Sequence, residues 1–262
     1  MIRRVLISAA LLLTAAANAE TLGNHELPED KAAHNARVAL IRDSHPIIAL
    51  QPLTLPTIDE AEAVKAEFHG LLQQELEANG FQVVPAEVFA EQWQARLEAV
   101  GGIYDAITGV RDDAKYEAAL TDVRAGLAES HGASAFLVAD ILPRDVTFNG
   151  GNAKFGGVKE KANVKGGRAM FGTTVPVGIL RAAMLEAELF DASGESLYAN
   201  MAGIQLLSKM GREGTVGLDP DEFLRTGAYN KAAVSLALRA MLLDHAALSK
   251  NIQSTKRKKA RK

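Results

Sequence analysis

Arg181–Leu207 reads RAAMLEAELFDASGESLYANMAGIQLL, and this stretch decides the fold. Two apolar-rich runs flank Asp191-Ala192-Ser193-Gly194, residue types that suit a tight connection. In the first run Leu185, Ala187 and Leu189 alternate with Glu186 and Glu188, which predicts one face toward a core and one toward water. In the second, Leu197, Ala199 and Met201 alternate with Ser196, Tyr198 and Asn200. The expectation is a β-hairpin with Leu197, Ala199 and Met201 pointing inward.

Upstream, helical and strand patterns alternate. Val64, Phe68, Leu71, Leu72 and Leu76 fall at helical spacing between Thr57 and Asn79-Gly80. Phe81–Val84 predicts a short strand ending at Pro85, and Val88, Phe89, Trp93 and Leu97 a helix over 86–99 broken by Gly101-Gly102. Gly102–Arg111 reads as a loop. A third helix is expected over 112–130, ended by Gly132, and Ala135–Ile141 is an apolar strand. Arg37–Ile41 and Pro46–Leu53 are short apolar runs, at least one of which should be a strand. A last helix is expected from Asp221 or Asn230 to Lys250, with Val234, Leu238, Met241 and Leu242 on one face, after a loop over Lys209–Asp221. That order predicts an α/β (α+β) fold: a mixed sheet with helices packed on it, closed by the hairpin.

Residues 37–250 are thus expected as a single domain, preceded by a polar lead-in at 20–36. Residues 143–177 stand out inside it, with Asn149-Gly150-Gly151, Gly156-Gly157, Gly166-Gly167 and Gly172 among lysines. They read as a long mobile insertion or an extended hairpin. Residues 251–262 read as a disordered basic tail.

Charge is unevenly spread. Six of the 29 basic residues lie in Lys256–Lys262, and Arg3 and Arg4 are two more. The remaining 21 face 32 acidic residues, so the body carries −11. Such a body does not grip nucleic acid, and 5% aromatics with Trp93 as sole tryptophan give no base-stacking platform. The absence of cysteine excludes disulfides, thiolate metal sites and lipid attachment through a lipoprotein cysteine. Residues 1–19, MIRRVLISAALLLTAAANA, have the basic start, apolar run and small-x-small end of a signal peptide, with cleavage expected after Ala19. The apolar run is too short to span a bilayer, so the expected address is the periplasm, with nothing transmembrane after cleavage.

No catalytic, cofactor or metal signature emerges. Gly151 and Gly156 have phosphate-loop spacing, but Gly157 stands where the lysine belongs. None of the six histidines forms an H-E-x-x-H pair, and Asp43-Ser44-His45 are adjacent, which the facing geometry of a triad forbids. Asp112-Asp113 and Asp219–Glu222 read as helix-start acids.

Gly80–Val84 (GFQVV), Gly132–Val138 (GASAFLV) and Leu189–Glu195 (LFDASGE) occur in an order that resembles the periplasmic α/β domain of the TolB amino-terminal, curli-secretion CsgG and penicillin-binding-protein-activator lipoprotein group. The resemblance covers about residues 46–207 and implies a fold and an envelope location. Ser134 stands where that group often carries an acid, and the insertion, basic tail and missing cysteine are departures.

The expectation is therefore a non-catalytic periplasmic protein that binds an envelope protein or outer-membrane component. Asn149, Lys154, Phe155, Lys159, Lys165 and Arg168 in the insertion are the candidate partner surface, with the sheet edge beside the hairpin. Lys256, Arg257, Lys258, Lys259, Arg261 and Lys262 are candidate contacts for anionic lipid or wall polymer. An enzyme with residues brought together from distant segments is the alternative.

Overall fold

The computed structural model describes residues 28–55, 61–105, 107–164, 177–211, 214–219, 222–224 and 227–242. Among these residues five helices pack on a mixed sheet of seven strands, as the alternating pattern predicts. The helices are α1 (Pro28–Ser44), α2 (Ala61–Ala78), α3 (Ala86–Ala99), α4 (Asp113–His131) and α5 (Gly227–Leu242). The sheet strands are β1 (Ile48–Leu50), β2 (Val83–Val84), β3 (Ala135–Asn149), β4 (Asn152–Phe155), β5 (Val158–Lys161), β6 (Val177–Asp191) and β7 (Ser196–Leu206). β1 runs parallel to β2 and β3, while β3, β6 and β7 are antiparallel neighbours. β8 (Ser208–Met210) and β9 (Thr215–Gly217) form a small ribbon within the expected loop.

Three cores divide the apolar residues. Leu137, Ala139, Leu185, Ala187 and Leu189 face α1, α2 and α5, represented by Val38, Phe68 and Leu238. On the other face Ala49 and Phe136 meet α3 and α4 through Phe89, Val123 and Leu127. Helix ends follow their sequence signals. Asp112 Oδ1 accepts from Lys115 N at 3.1 Å and caps α4, and Gly132 closes it with φ +68°.

Three expectations are corrected. The lead-in is helical from Pro28; of the two short apolar runs, Pro46–Leu53 supplies the expected strand, β1, and Arg37–Ile41 belongs to α1. Val38 and Ile41 are buried three residues apart while Leu40 is exposed, a helical spacing. The stretch 143–177 is ordered sheet as far as Lys161. β3 runs straight through Pro143 to Asn149, and β4 and β5 form a hairpin flap. Pro143 fits because Ile141 N points to Thr54 O on the β1 side. Two residues on, the nitrogen of Pro143 points the same way, beyond the reach of β1, so no ladder bond is lost. Residues 165–176 lie outside the described residues, as do the leader and the tail.

The flap closes against β7 and encloses the third core, Val146, Phe148, Ala153, Phe155, Leu180 and Met184. Gly203 N donates to Gly156 O at 2.9 Å. Both residues must be glycine: Gly156 has φ +46°, and a Cβ on Gly203 would lie 2.5 Å from Phe155 O.

The third correction concerns the hairpin itself. The turn forms as expected, with Asp191 Oδ1 accepting from Ser193 N at 2.8 Å and Glu195 N at 2.9 Å. The second strand, however, is inverted. Phe190 pairs with Ser196 but Leu189 pairs with Tyr198, so Leu197 is an extra residue in the ladder. A one-residue bulge exchanges the two faces of a strand. Tyr198 and Asn200 therefore point at α5, and Ala199 is exposed. Tyr198 is 2% exposed and its hydroxyl donates to Ala237 O, while Asn200 Nδ2 donates to Leu236 O at 3.1 Å and Ala237 O at 3.0 Å. Burial pushes the Tyr198 hydroxyl pKa up to about 12.

His69 on α2 is tied to the chain leaving β1: its Nε2 accepts from Leu53 N at 2.9 Å. The ring must be neutral for this. Burial holds its pKa below the usual value, opposed by Glu87 and Glu62 and assisted by Lys65. A depressed histidine contributes stability above its ordinary pKa of 6.5, lost as pH falls through the lower folded value. Wild type should lose melting temperature between neutrality and about pH 5. His69→Gln, which keeps an acceptor and cannot titrate, should show a flatter profile in the same scan. For the flap joint, Gly203→Ala should lower unfolding free energy by about 1–3 kcal/mol, measured by denaturant titration. Unchanged stability would show that the flap is not seated on β7.

Candidate functional site

Two surfaces arise from these elements. The first is the outside of the flap. Its register pairs Asn152 with Lys161, Ala153 with Glu160, Lys154 with Lys159 and Phe155 with Val158. Alternation sends Ala153 and Phe155 into the third core and leaves Lys154, Lys159 and Lys161 exposed on the outer face. Lys154 and Lys159 are directly opposite, an arrangement of like charges that costs stability. None of the three lysines forms an ion pair among the described residues. Glu160, on the inner side, is engaged: Oε2 accepts from Leu206 N at 2.8 Å and Oε1 pairs with Lys209 at 3.0 Å.

The expected partner residues therefore separate. Asn149 ends β3 and is exposed, and Lys154 and Lys159 share the flap face. Phe155 is only 6% exposed and belongs to the core, so it is withdrawn from the partner surface. Lys165, Arg168 and the six tail residues lie outside the described residues. Lys161 joins the face although sequence reasoning passed it over. Its sequence signal is weak: in Val158-Lys159-Glu160-Lys161 only Val158 is apolar, so alternation does not mark the face, and only the cross-strand register sets Glu160 inward between two outward lysines.

The second surface is the sheet floor between α4 and the flap. There Asp140 is opposite Glu186 and Val138 opposite Glu188, with Met201 and Ala199 completing the rungs on β7. Arg144 Nη2 reaches Glu186 Oε2 at 3.2 Å, a half-exposed pair. Burial raises the Glu188 carboxyl pKa, and the charges of Glu186 and Asp140 add to the rise against a hydrogen bond from Ser196. At the α4 end, Arg124 is 8% exposed, its guanidinium 5.2 Å from the Phe190 ring and 5.6 Å from the Phe136 ring. Among the described residues no three histidine or carboxylate side chains converge as metal ligands.

The remaining motifs resolve into structure. Asp43-Ser44-His45 closes α1: Ser44 Oγ donates to Ile41 O at 3.3 Å, and His45 turns out with φ +44° to stack on Phe81 at 5.3 Å. Gly151 and Gly156 are flap turns rather than a phosphate loop. No described helix is long and apolar enough to cross a membrane.

No protein-family model and no curated protein matches the chain. Among solved structures it is similar to the PelC dodecamer from Paraburkholderia phytofirmans, with a TM-score of 0.31, 11% identity, and 76% of this chain and 89% of that chain covered. It is also similar to lipoprotein GNA1162 from Neisseria meningitidis, with a TM-score of 0.31, 13% identity, and 83% and 99% covered. At that level of likeness neither protein's assembly nor its attachment carries over to this chain.

The acidic floor makes a pH-dependent prediction. A carboxyl raised in the folded state contributes most below its unfolded pKa, and that contribution is lost as pH rises through the folded value. Glu188→Gln removes the loss. It should melt above wild type at neutral pH, with the gain vanishing near pH 4; equal melting temperatures at neutral pH would show that Glu188 is fully solvated.

Proposed function

We propose that this is an exported accessory protein of the bacterial envelope that binds another envelope component without catalysis, through the outer face of the flap. The observation that carries this is the lysine cluster. Lys154, Lys159 and Lys161 share one face, two of them directly opposed, on a body whose net charge is −11. The fold draws no ion pair from them among the described residues, and a cross-strand like-charge pair is unfavourable unless something outside neutralises it. The partner surface this face fits is acidic. The signal-peptide pattern of residues 1–19 supports the periplasmic address. Lys165 and Arg168 follow the flap in sequence and would extend its charge.

A second reading has one observation in its favour. The carboxyl of Glu188, whose pKa burial raises, keeps its proton to higher pH than an ordinary glutamate, which is what a proton donor needs. Glu188→Gln with unchanged cellular function removes it. The third reading, adhesion of Lys256–Lys262 to anionic lipid or wall polymer, is tested by deleting those seven residues and measuring retention on the membrane fraction.

The test of the leading reading is reversal of the flap charges. Lys154→Glu, Lys159→Glu and Lys161→Glu together should leave the melting curve in place, because all three side chains are exposed. Crosslinking in intact cells should then lose the partner band that wild type gives, and the wild-type complex should weaken with added salt. A band that survives all three reversals rules out the flap face.

A further inference from the structure

The floor between α4 and the flap is the bottom of a trough. One wall is α4, which shares an apolar cluster with Phe136 through Val123 and Leu127. The other is the flap, which shares one with Met184 through Phe155. Along β3 and β6 the rungs run Phe136–Phe190, Val138–Glu188, Asp140–Glu186 and Leu142–Met184. Rungs on one face are about 7 Å apart, so about 20 Å separates the walls. Ala199 and Met201 widen the two middle rungs on β7. Walls at both ends suit a small molecule lying along the strands.

Arg124 stands at the α4 end. It is more than nine-tenths buried, yet its Nε has no hydrogen-bond partner and its guanidinium no ion pair among the described residues. The rings of Phe136 and Phe190 hold it over the first rung. Stacking fixes the guanidinium plane without satisfying its donors. Burial draws its pKa down, and the fields of Glu117, Tyr116 and Asp191 offset this only in part. A Cβ added at Gly194 would meet Nη1 at 3.2 Å and, apart from its own chain neighbours, nothing else within 4 Å. The turn therefore leaves space beside that nitrogen. One rung on, Glu188 accepts from Ser196 but faces no cation among the described residues. On the next rung Glu186 pairs with Arg144, while Asp140 has no ion pair among the described residues. Glu188 and Asp140 are diagonal neighbours, about 7–8 Å apart.

These groups set the chemistry of a ligand. A flat, immobilised guanidinium matches a carboxylate in a two-pronged pair. The acids beside it disfavour phosphate or any simple anion. They do not converge to hold a metal ion, so their charge suits separate ammonium groups. In an extended lysine the α- and ε-ammonium groups stand about as far apart as the two free acids. We propose that the trough binds a cationic α-amino acid of the lysine type, with its carboxylate on Arg124, its α-ammonium on Glu188 and its side-chain ammonium on Asp140. Val138 and Ala199 flank Glu188 on its rung and Met201 lies beside Glu186, a bed of apolar side chains for the methylenes. This site goes beyond partner binding by the flap lysines and shares no residue with it.

The experiment is isothermal titration calorimetry of the purified protein with L-lysine and two analogues. Wild type should bind L-lysine saturably. Cadaverine keeps both ammonium groups and lacks the carboxylate; norleucine keeps the carboxylate and lacks the ε-ammonium. Each should bind roughly tenfold more weakly, or worse. Asp140→Asn should weaken L-lysine by a similar factor and leave norleucine unchanged. Arg124→Gln should abolish the preference for lysine over cadaverine. Melting curves check that both variants fold, and if Arg124→Gln does not, the cadaverine comparison on wild type tests the same contact. Absence of L-lysine binding overturns the proposal. So does cadaverine binding as tightly as lysine, which would mean general attraction of cations to an acidic surface, or a lysine affinity unchanged in Asp140→Asn.

Discussion

The pairing of β3 with β6 is the constraint on which the other elements depend. Fifteen consecutive residues of each strand are in register, from Ala135 opposite Asp191 to Asn149 opposite Val177. Such a ladder is longer than any one layer of helices can cover. One end is sandwiched between α1, α2 and α5 on one side and α3 and α4 on the other. The far end runs past the helices, and the chain covers it with its own next hairpin. The handover falls at Ala182–Leu185, where four consecutive side chains are buried. Ala183 and Leu185 belong to the helix-facing core and Ala182 and Met184 to the flap core. A strand buried on both faces loses its alternation, which is why this segment reads as a plain apolar run.

Much of this architecture is legible locally. Helix faces repeat at 3.6 residues, and Asp112 and Gly132 cap α4 with chemistry that acts within a turn or two. What sequence could not show is chemistry between distant segments. Nothing near Leu197 announces a bulge. The inward turn of Tyr198 and Asn200 is supported by carbonyls of α5 that lie 36 to 39 residues along the chain. Polar residues that look outward by pattern are inward because the Leu236 and Ala237 carbonyls of α5 accept from them there. Ala199 and Met201, apolar by pattern, take the other face, while Leu197, the extra residue of the bulge, packs against the helix-facing core.

The glycine-rich stretch shows the same limit from another direction. Glycine is permissive, and a cluster of glycines near lysines reads as mobility. Here the permissiveness serves close approach. Gly156 and Gly203 meet backbone to backbone with Phe155 between core and joint. The contact joins residues 47 positions apart in number, so no window of sequence contains it. The burial of Phe155 follows from that joint, and so does the presentation of Lys154, Lys159 and Lys161, which became visible as a face only once the register was known.

Two like-charge pairs stand directly opposed in this sheet, Asp140 with Glu186 and Lys154 with Lys159. Each would weaken an isolated hairpin, where cross-strand side chains decide whether the pair forms. Neither threatens this fold. The acidic pair sits on the long ladder, clamped by cores on both sides of it, and the basic pair on a flap stapled through Gly156 and Glu160. Unfavourable charge is thus placed where backbone pairing and burial already over-determine the conformation. The two pairs differ in one respect that bears on function. Arg144 lies beside Glu186 and relieves part of the acidic pair's repulsion. The lysines have no such neighbour among the described residues, and their charge is left for a partner to answer.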